Sequence, residues 1–322
     1  MDALTTILNP GILFFILGFV AALIRSNLSI PDSVLKFIGL YLMLSIGFKG
    51  GVSLYHSSLF GDGLWIILFI ILISGLVPLY TFFLFRKKHG PVDAAAIGAT
   101  YGSNSTLTYI TAAGFLTSAG LAYEGYMTVA LVVMETPAII FAIIFARMAE
   151  DGNGEGRSTK AIIAEALTDG TMLVLIGSMA IGYLLTAMGN EASPLSAFIG
   201  GDLFTGMLIF FLLQMGLVVG KKLREIKSFP ISLVLFAVFA PLGHAFVALT
   251  FSKLMGFQPA DALLLTVLCS SSSYIVAPAI LKDALPAADP AKFLTMSLGI
   301  TFPLNIVLGI PFYWWLITTL LV

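Results

Sequence analysis

A chain of 322 residues that is 59% hydrophobic and 10% charged cannot be a soluble domain, where about a quarter of residues carry charge; it reads as an all-α polytopic membrane protein. The formal net charge of −1 excludes a nucleic-acid partner. The single cysteine, Cys269, excludes an intramolecular disulfide and any multi-cysteine metal site.

A bilayer core of about 30 Å takes roughly 20 apolar residues per helix, and that ruler marks ten spans. The first five are 4–24, 33–55, 63–85, 91–115 and 123–148. The second five are 168–189, 196–220, 230–252, 259–281 and 291–320. The opening "MDALTTILNPG" carries Asp2 and no basic residue before Arg25, so it lacks the charged start of a cleaved signal peptide and reads as a permanent first helix. Pro, Gly or charge marks most boundaries, as at "RKKHGP", "KKLREIKSFP" and "LPAADP". The polar run "EDGNGEGRSTK" divides the chain into a first five-helix unit (1–148), a short linker (149–163) and a second five-helix unit (164–322).

Of the 16 basic residues, 14 fall in loops on one side, from Arg25 and Lys36 to Lys282 and Lys292. Positive charge stays cytoplasmic, so both termini are expected outside the cell's inner (plasma) membrane. Lys49, within the second span, is expected to snorkel outward as a structural residue. Tyr313, Trp314 and Trp315 are expected in an interfacial belt.

The halves echo one another. Gly47 and Gly51 align with Gly216 and Gly220, Pro91 and Asp93 with Pro259 and Asp261, and Pro137 with Pro303, at offsets of 169, 168 and 166 residues. With five spans in each half, the second enters the membrane from the opposite side, which makes the repeats inverted in topology.

Within spans four and nine, "YGSNS" (101–105) and "SSSS" (270–273) lie at aligned mid-membrane places. Ser and Asn divert backbone hydrogen bonds into local side-chain bonds, so both spans are expected to break there. Ser105 and Ser273 are N-cap types for the half-helices that restart beyond each break. The free N–H groups and positive end of such helices suit an anion. The candidate substrate-binding residues are therefore Gly102, Ser103, Asn104, Ser105, Thr106, Ser271, Ser272, Ser273 and Tyr274. The blander reading is that Ser serves helix–helix contact because it is small. Glu135 is the carboxylate nearest the centre of any span, and its burial at that depth demands a partner. With Ser270, Thr301 and Asn305 it forms the candidate cation set, suited to a hard ion such as Na⁺. His244 reads as a helix-to-helix hydrogen bond. No phosphate-binding GxxxxGK loop supports ATP drive, and no GxSG signature turns the serines and His244 into a protease. No enzyme activity and no resident cofactor are expected.

On "SSSSYIVAPAILKDALPAADPAKF", together with "VDAAAIGATYGSNS", "METPA" and "APLGHAF", the chain resembles the sodium-dependent bicarbonate transporter family typified by cyanobacterial SbtA. The resemblance runs through all ten spans. It implies Na⁺-coupled bicarbonate import, inverted five-helix repeats and a homotrimer. Gly102, Ser103 and Ser105 match that family's first broken helix, and Ser271–Ser273 its second. Glu135 stands where the cyanobacterial motif has Asp, which keeps a carboxylate. Tyr274 stands where the pattern has Asp, which removes one. The family's PII-like regulatory partner is a further implied partner, although the linker here is far shorter than those members' cytoplasmic loop. The sequence thus points to a Na⁺-coupled symporter importing a small anion, bicarbonate first, by alternating access. The alternatives are an H⁺- or Na⁺-coupled carrier of small organic carboxylates, or a non-transporting anion sensor.

Overall fold

The computed structural model describes residues 10–57, 59–149, 170–190, 198–199, 201–222 and 229–320. The expected linker, Ala149 apart, lies outside the described residues, as does the start of the first span. Every regular element described is helical. In a bilayer each backbone polar group must be satisfied within its own segment, and apolar helices do this.

In chain order the helices are α1 (Pro10–Leu23), α2 (Asp32–His56), α3 (Leu64–His89), α4 (Pro91–Gly102), α5 (Thr106–Ser118) and α6 (Tyr126–Ala149). Then follow α7 (Gly170–Ala187), α8 (Gly201–Lys222), α9 (Ile231–Met255), α10 (Pro259–Ser270), α11 (Val276–Ala284) and α12 (Pro290–Leu320). Six of these (α2, α3, α6, α8, α9 and α12) are long and apolar enough to cross a membrane unaided. The helix α12 contains two π segments, Thr295–Thr301 and Asn305–Gly309. Gly90, at φ 88°, stops α3, and Pro91 starts α4 where its missing N–H costs nothing.

Two groups of helices result. In the first, α1 packs along α8 and α2 along α7. A Cβ on Gly216 would strike the Phe15 carbonyl, and one on Gly51 the Met179 carbonyl. The aligned glycines therefore serve backbone-to-backbone crossings in both pairs. In the second group α4 lies between α3 and α6, while α10 packs against α9, α5 and α12. Residues 94–102, 106–116 and 260–270 are buried without interruption, so these three short helices form the centre. Long helices wall them in, with apolar side chains such as Leu68, Leu72 and Phe83 of α3 and Phe239, Phe246 and Leu254 of α9 exposed outward. A bilayer covers faces of that kind.

Three peripheral expectations meet different outcomes. His244 Nε2 and the Tyr80 hydroxyl are 2.6 Å apart, the expected bond between α9 and α3. Lys49 is half-buried, its Nζ 4.5 Å from the ring centre of Phe204 in the first turn of α8, where an aromatic face accepts the cation. Of the aromatic trio only Trp315 faces out; Tyr313 and Trp314 are buried, Trp314 edge-on to Phe115.

Candidate functional site at the crossing of two broken helices

Helix α4 ends at Gly102, and Ser103 turns extended at φ −88°, ψ 178°. Helix α10 ends at Ser270, and Ser271 turns extended at φ −89°, ψ 175°. Both half-helices have 12 residues and begin with proline. The same backbone turn at the same offset explains the serine run: each extended residue frees backbone groups that hydroxyls then take up. Ser105 caps α5 by accepting the Thr108 N–H at 3.2 Å. Ser273 accepts the Ala277 N–H of α11 at 3.1 Å. The expected cap is in place at Ser105, whereas Ile275 holds the N-cap position of α11 and Ser273, two residues earlier, takes up a first-turn N–H from outside the helix because the chain needs two more residues to turn after the break.

The two breaks are tied crosswise. The Ser105 N–H donates to Ser271 Oγ at 2.9 Å, and the Ser273 N–H donates to the Thr100 carbonyl at 2.8 Å. Asn104 is fixed by its Nδ2, which donates to the Leu131 carbonyl of α6 at 2.8 Å. That leaves its Oδ1, an acceptor, without a partner among the described residues. The Ser103, Ser272 and Tyr274 hydroxyls are likewise buried and unpartnered there. Unmet buried polar atoms cost about 1–3 kcal/mol each, which makes these four the candidate contacts for a ligand at the crossing.

A hollow of about 10 Å³ lies at this crossing. Asn104, Ser105, Thr106, Glu135, Ser273 and Tyr274 line it, together with Met43, Leu107, Ile275 and Val276. The first residues of α5 and α11 both reach it, bringing two helix N-termini and their outward N–H groups to one point. Such a volume holds about one water-sized occupant. Met43, Leu107, Tyr274 and Ile275 also line a second cavity, of about 540 Å³, between α2 and α8 on one side and the core on the other. These four side chains are the partition between site and cavity.

The candidate cation set is divided. Glu135 is 3% exposed and faces the hollow. The other three gather at the contact of α10 with α12. Thr301 donates its hydroxyl hydrogen to the Ala237 carbonyl at 2.7 Å, so the Tyr101 phenol, 2.7 Å away, must donate to Thr301. Asn305 donates to the Ser270 carbonyl at 2.7 Å and accepts from Tyr313 at 3.1 Å, which ties α12 to the end of α10. Among the described residues no group of three or more His, Cys, Asp or Glu gathers, so a cation at the crossing would rely on Glu135 with neutral oxygens, a hard-ion donor set. Sequence reading missed Tyr101, although it stands inside the "YGSNS" stretch, and the partition residues Met43 and Leu107, which carry no polar signal.

The family model of the Na⁺-dependent bicarbonate transporter superfamily matches residues 10–318. The chain belongs to that superfamily. No curated protein matches it. As a superfamily member it is a multi-pass membrane transporter and not an enzyme. For this Na⁺-dependent bicarbonate transporter superfamily member, the crossing is where the fold concentrates buried, ligand-ready polar groups.

Proposed function

We propose that the protein imports bicarbonate together with Na⁺ by alternating access. In this reading it has ten spans arranged as two inverted five-helix repeats, and it works as a homotrimer in the plasma membrane. The observation that carries the proposal is the meeting of two capped half-helix N-termini at one buried hollow beside Glu135. N–H groups and dipole ends hold the anion, and Gly102, Ser103, Asn104, Ser105, Thr106 and Ser271–Tyr274 supply the surrounding polar atoms. Na⁺ at Glu135 neutralises the carboxylate beside the anion, so the loaded site carries one net negative charge instead of the two that the anion and Glu135 would bring together. No other cofactor takes part. The run 150–160, the surface a PII-like regulator would use, lies outside the described residues.

The large cavity supports a direction. Its mouth carries Lys36 and Gly170, both exposed, on the side to which the basic loops were assigned. The conformation is therefore read as open to the cytoplasm.

Uptake of labelled bicarbonate into proteoliposomes tests the function. Accumulation driven by an inward Na⁺ gradient is expected. Bicarbonate that fails to accumulate under any imposed gradient overturns the proposal, and accumulation of a small organic carboxylate or H⁺-driven uptake would replace it with the corresponding alternative.

A further inference from the structure

The aligned Pro-Asp starts of α4 and α10 take no part in the site described above, yet their carboxylates do matching work. Asp93 Oδ1 accepts the Asp289 N–H at 2.8 Å, and its Oδ2 is paired with Lys292. Both partners belong to the beginning of α12. Asp261 Oδ1 accepts the Glu124 N–H at 2.9 Å, and its Oδ2 accepts the Tyr126 hydroxyl at 2.8 Å. Tyr126 is the first residue of α6 and Glu124 stands two residues before it. In each case one carboxylate oxygen takes a backbone N–H and the other a side-chain donor. In each case the broken pair of one half is fastened to the closing helix of the other half.

We propose that Asp93 and Asp261 are permanent clamps, positioning residues that bind both broken pairs, α6 and α12 into one body that moves as a unit during transport. The inference rests on the transport reading above. Its main support is that both clamps are closed in the same conformation. Alternating gates on two faces would show one closed and one open, which is how the two ends of α2 behave: Ser53 seals to the Tyr123 carbonyl at 3.1 Å while the Lys36 end borders the large cavity. The clamps do not follow that pattern, so they travel with the core.

Leverage explains why such clamps matter to a site they do not touch. Each stands in the first turn of a 12-residue half-helix, nine residues or roughly 14 Å from its broken tip at about 1.5 Å per residue. A tilt of about 5° at the clamp would carry the tip about 1.2 Å, enough to part the Ser105–Ser271 and Ser273–Thr100 bonds. A first-turn carboxylate acting only on its own helix dipole would need neither cross-half donor.

The test uses the full chain in proteoliposomes. One variant carries Asp93→Cys with Asp289→Cys, the other Asp261→Cys with Glu124→Cys; position 261 is buried but shares a cavity of about 200 Å³ with Glu124 that gives reagent a way in, whereas Cys269 is buried at the core end of α10. Na⁺-driven bicarbonate uptake is measured before and after a short thiol-to-thiol cross-linker. Without the linker, uptake should fall about tenfold with a raised KM for bicarbonate, the effect of losing a charge-assisted contact. Cross-linking should restore it. Arrest of uptake by the cross-link would mean the contact must open, and uptake at the parent's rate and KM without the linker would mean it positions nothing; either overturns the proposal. Should the cysteine variants not insert, the exchange of Asp93→Lys with Lys292→Asp decides: retained uptake supports the clamp and lost uptake overturns it. A parent chain that takes up no bicarbonate overturns the transport reading, and the clamps with it.

Discussion

The two ends of α2 meet the core in opposite ways. At the C-terminal end Ser53 donates to the Tyr123 carbonyl, and Gly125 comes so close to the Leu54 backbone that a Cβ there would overlap it. At the N-terminal end Leu35, Lys36 and Leu40 face about 540 Å³ of open space shared with α8 and Tyr274. One rigid helix therefore carries a seal at one end and a cavity at the other, with the partition residue Met43 between them. On the transport proposed above, the seal and the cavity would be two phases of one interface, with the ions passing whichever end is open.

The comparison can be broken in four places. The largest effect is expected at the centre, which both phases share. Glu135→Gln should abolish Na⁺ stimulation of uptake, while Lys49→Met, over the Phe204 ring and away from the hollow, should leave it within about threefold of the parent. Uptake against Na⁺ concentration measures both, and unchanged activation in the glutamate variant would move the cation site elsewhere. Next comes the seal. Gly125→Val adds carbons where the Leu54 backbone already lies, and overpacking of about 1–3 kcal/mol should lower uptake roughly tenfold by preventing closure. If transport survives intact, uptake does not depend on that close contact.

A third test sharpens the contrast without touching the site. In the resting protein a cysteine at Leu40 should react with a membrane-impermeant thiol reagent added from the basic side, and a cysteine at Ser53 should be several-fold slower from either side. Equal rates would mean the two ends are alike. The smallest effect belongs to Ser53→Ala. Losing one hydrogen bond worth about 0.5–1.5 kcal/mol should weaken the seal, change uptake by no more than about tenfold and raise labelling at that end.

Much of this was legible in the sequence because it depends on local chemistry. The breaks at Ser103 and Ser271, the cap at Ser105, the hydroxyl of Ser273 that takes up a first-turn N–H of α11, and the paired glycines follow from residue types repeated at nearly constant spacing. What was not legible depends on partners. Thr301 and Asn305 announced oxygens for a cation, but nothing near them in the chain reveals that Ala237, Tyr101 and Tyr313 already engage them. Tyr313 and Trp314 look like interfacial residues until α10 and Phe115 are packed against them. A polar or aromatic side chain states what it can bond; only the packing of distant helices decides what it does bond. The same holds for Asp93 and Asp261, whose alignment was visible while their cross-half donors were not.

The hollow between the broken helices is only about 10 Å³ in size. A compartment with room for roughly one water cannot hold a file of them, and protons travel quickly only along such files. On the transport reading, the crossing in this conformation would leak few protons between turnovers, because the file that would carry them has no second link.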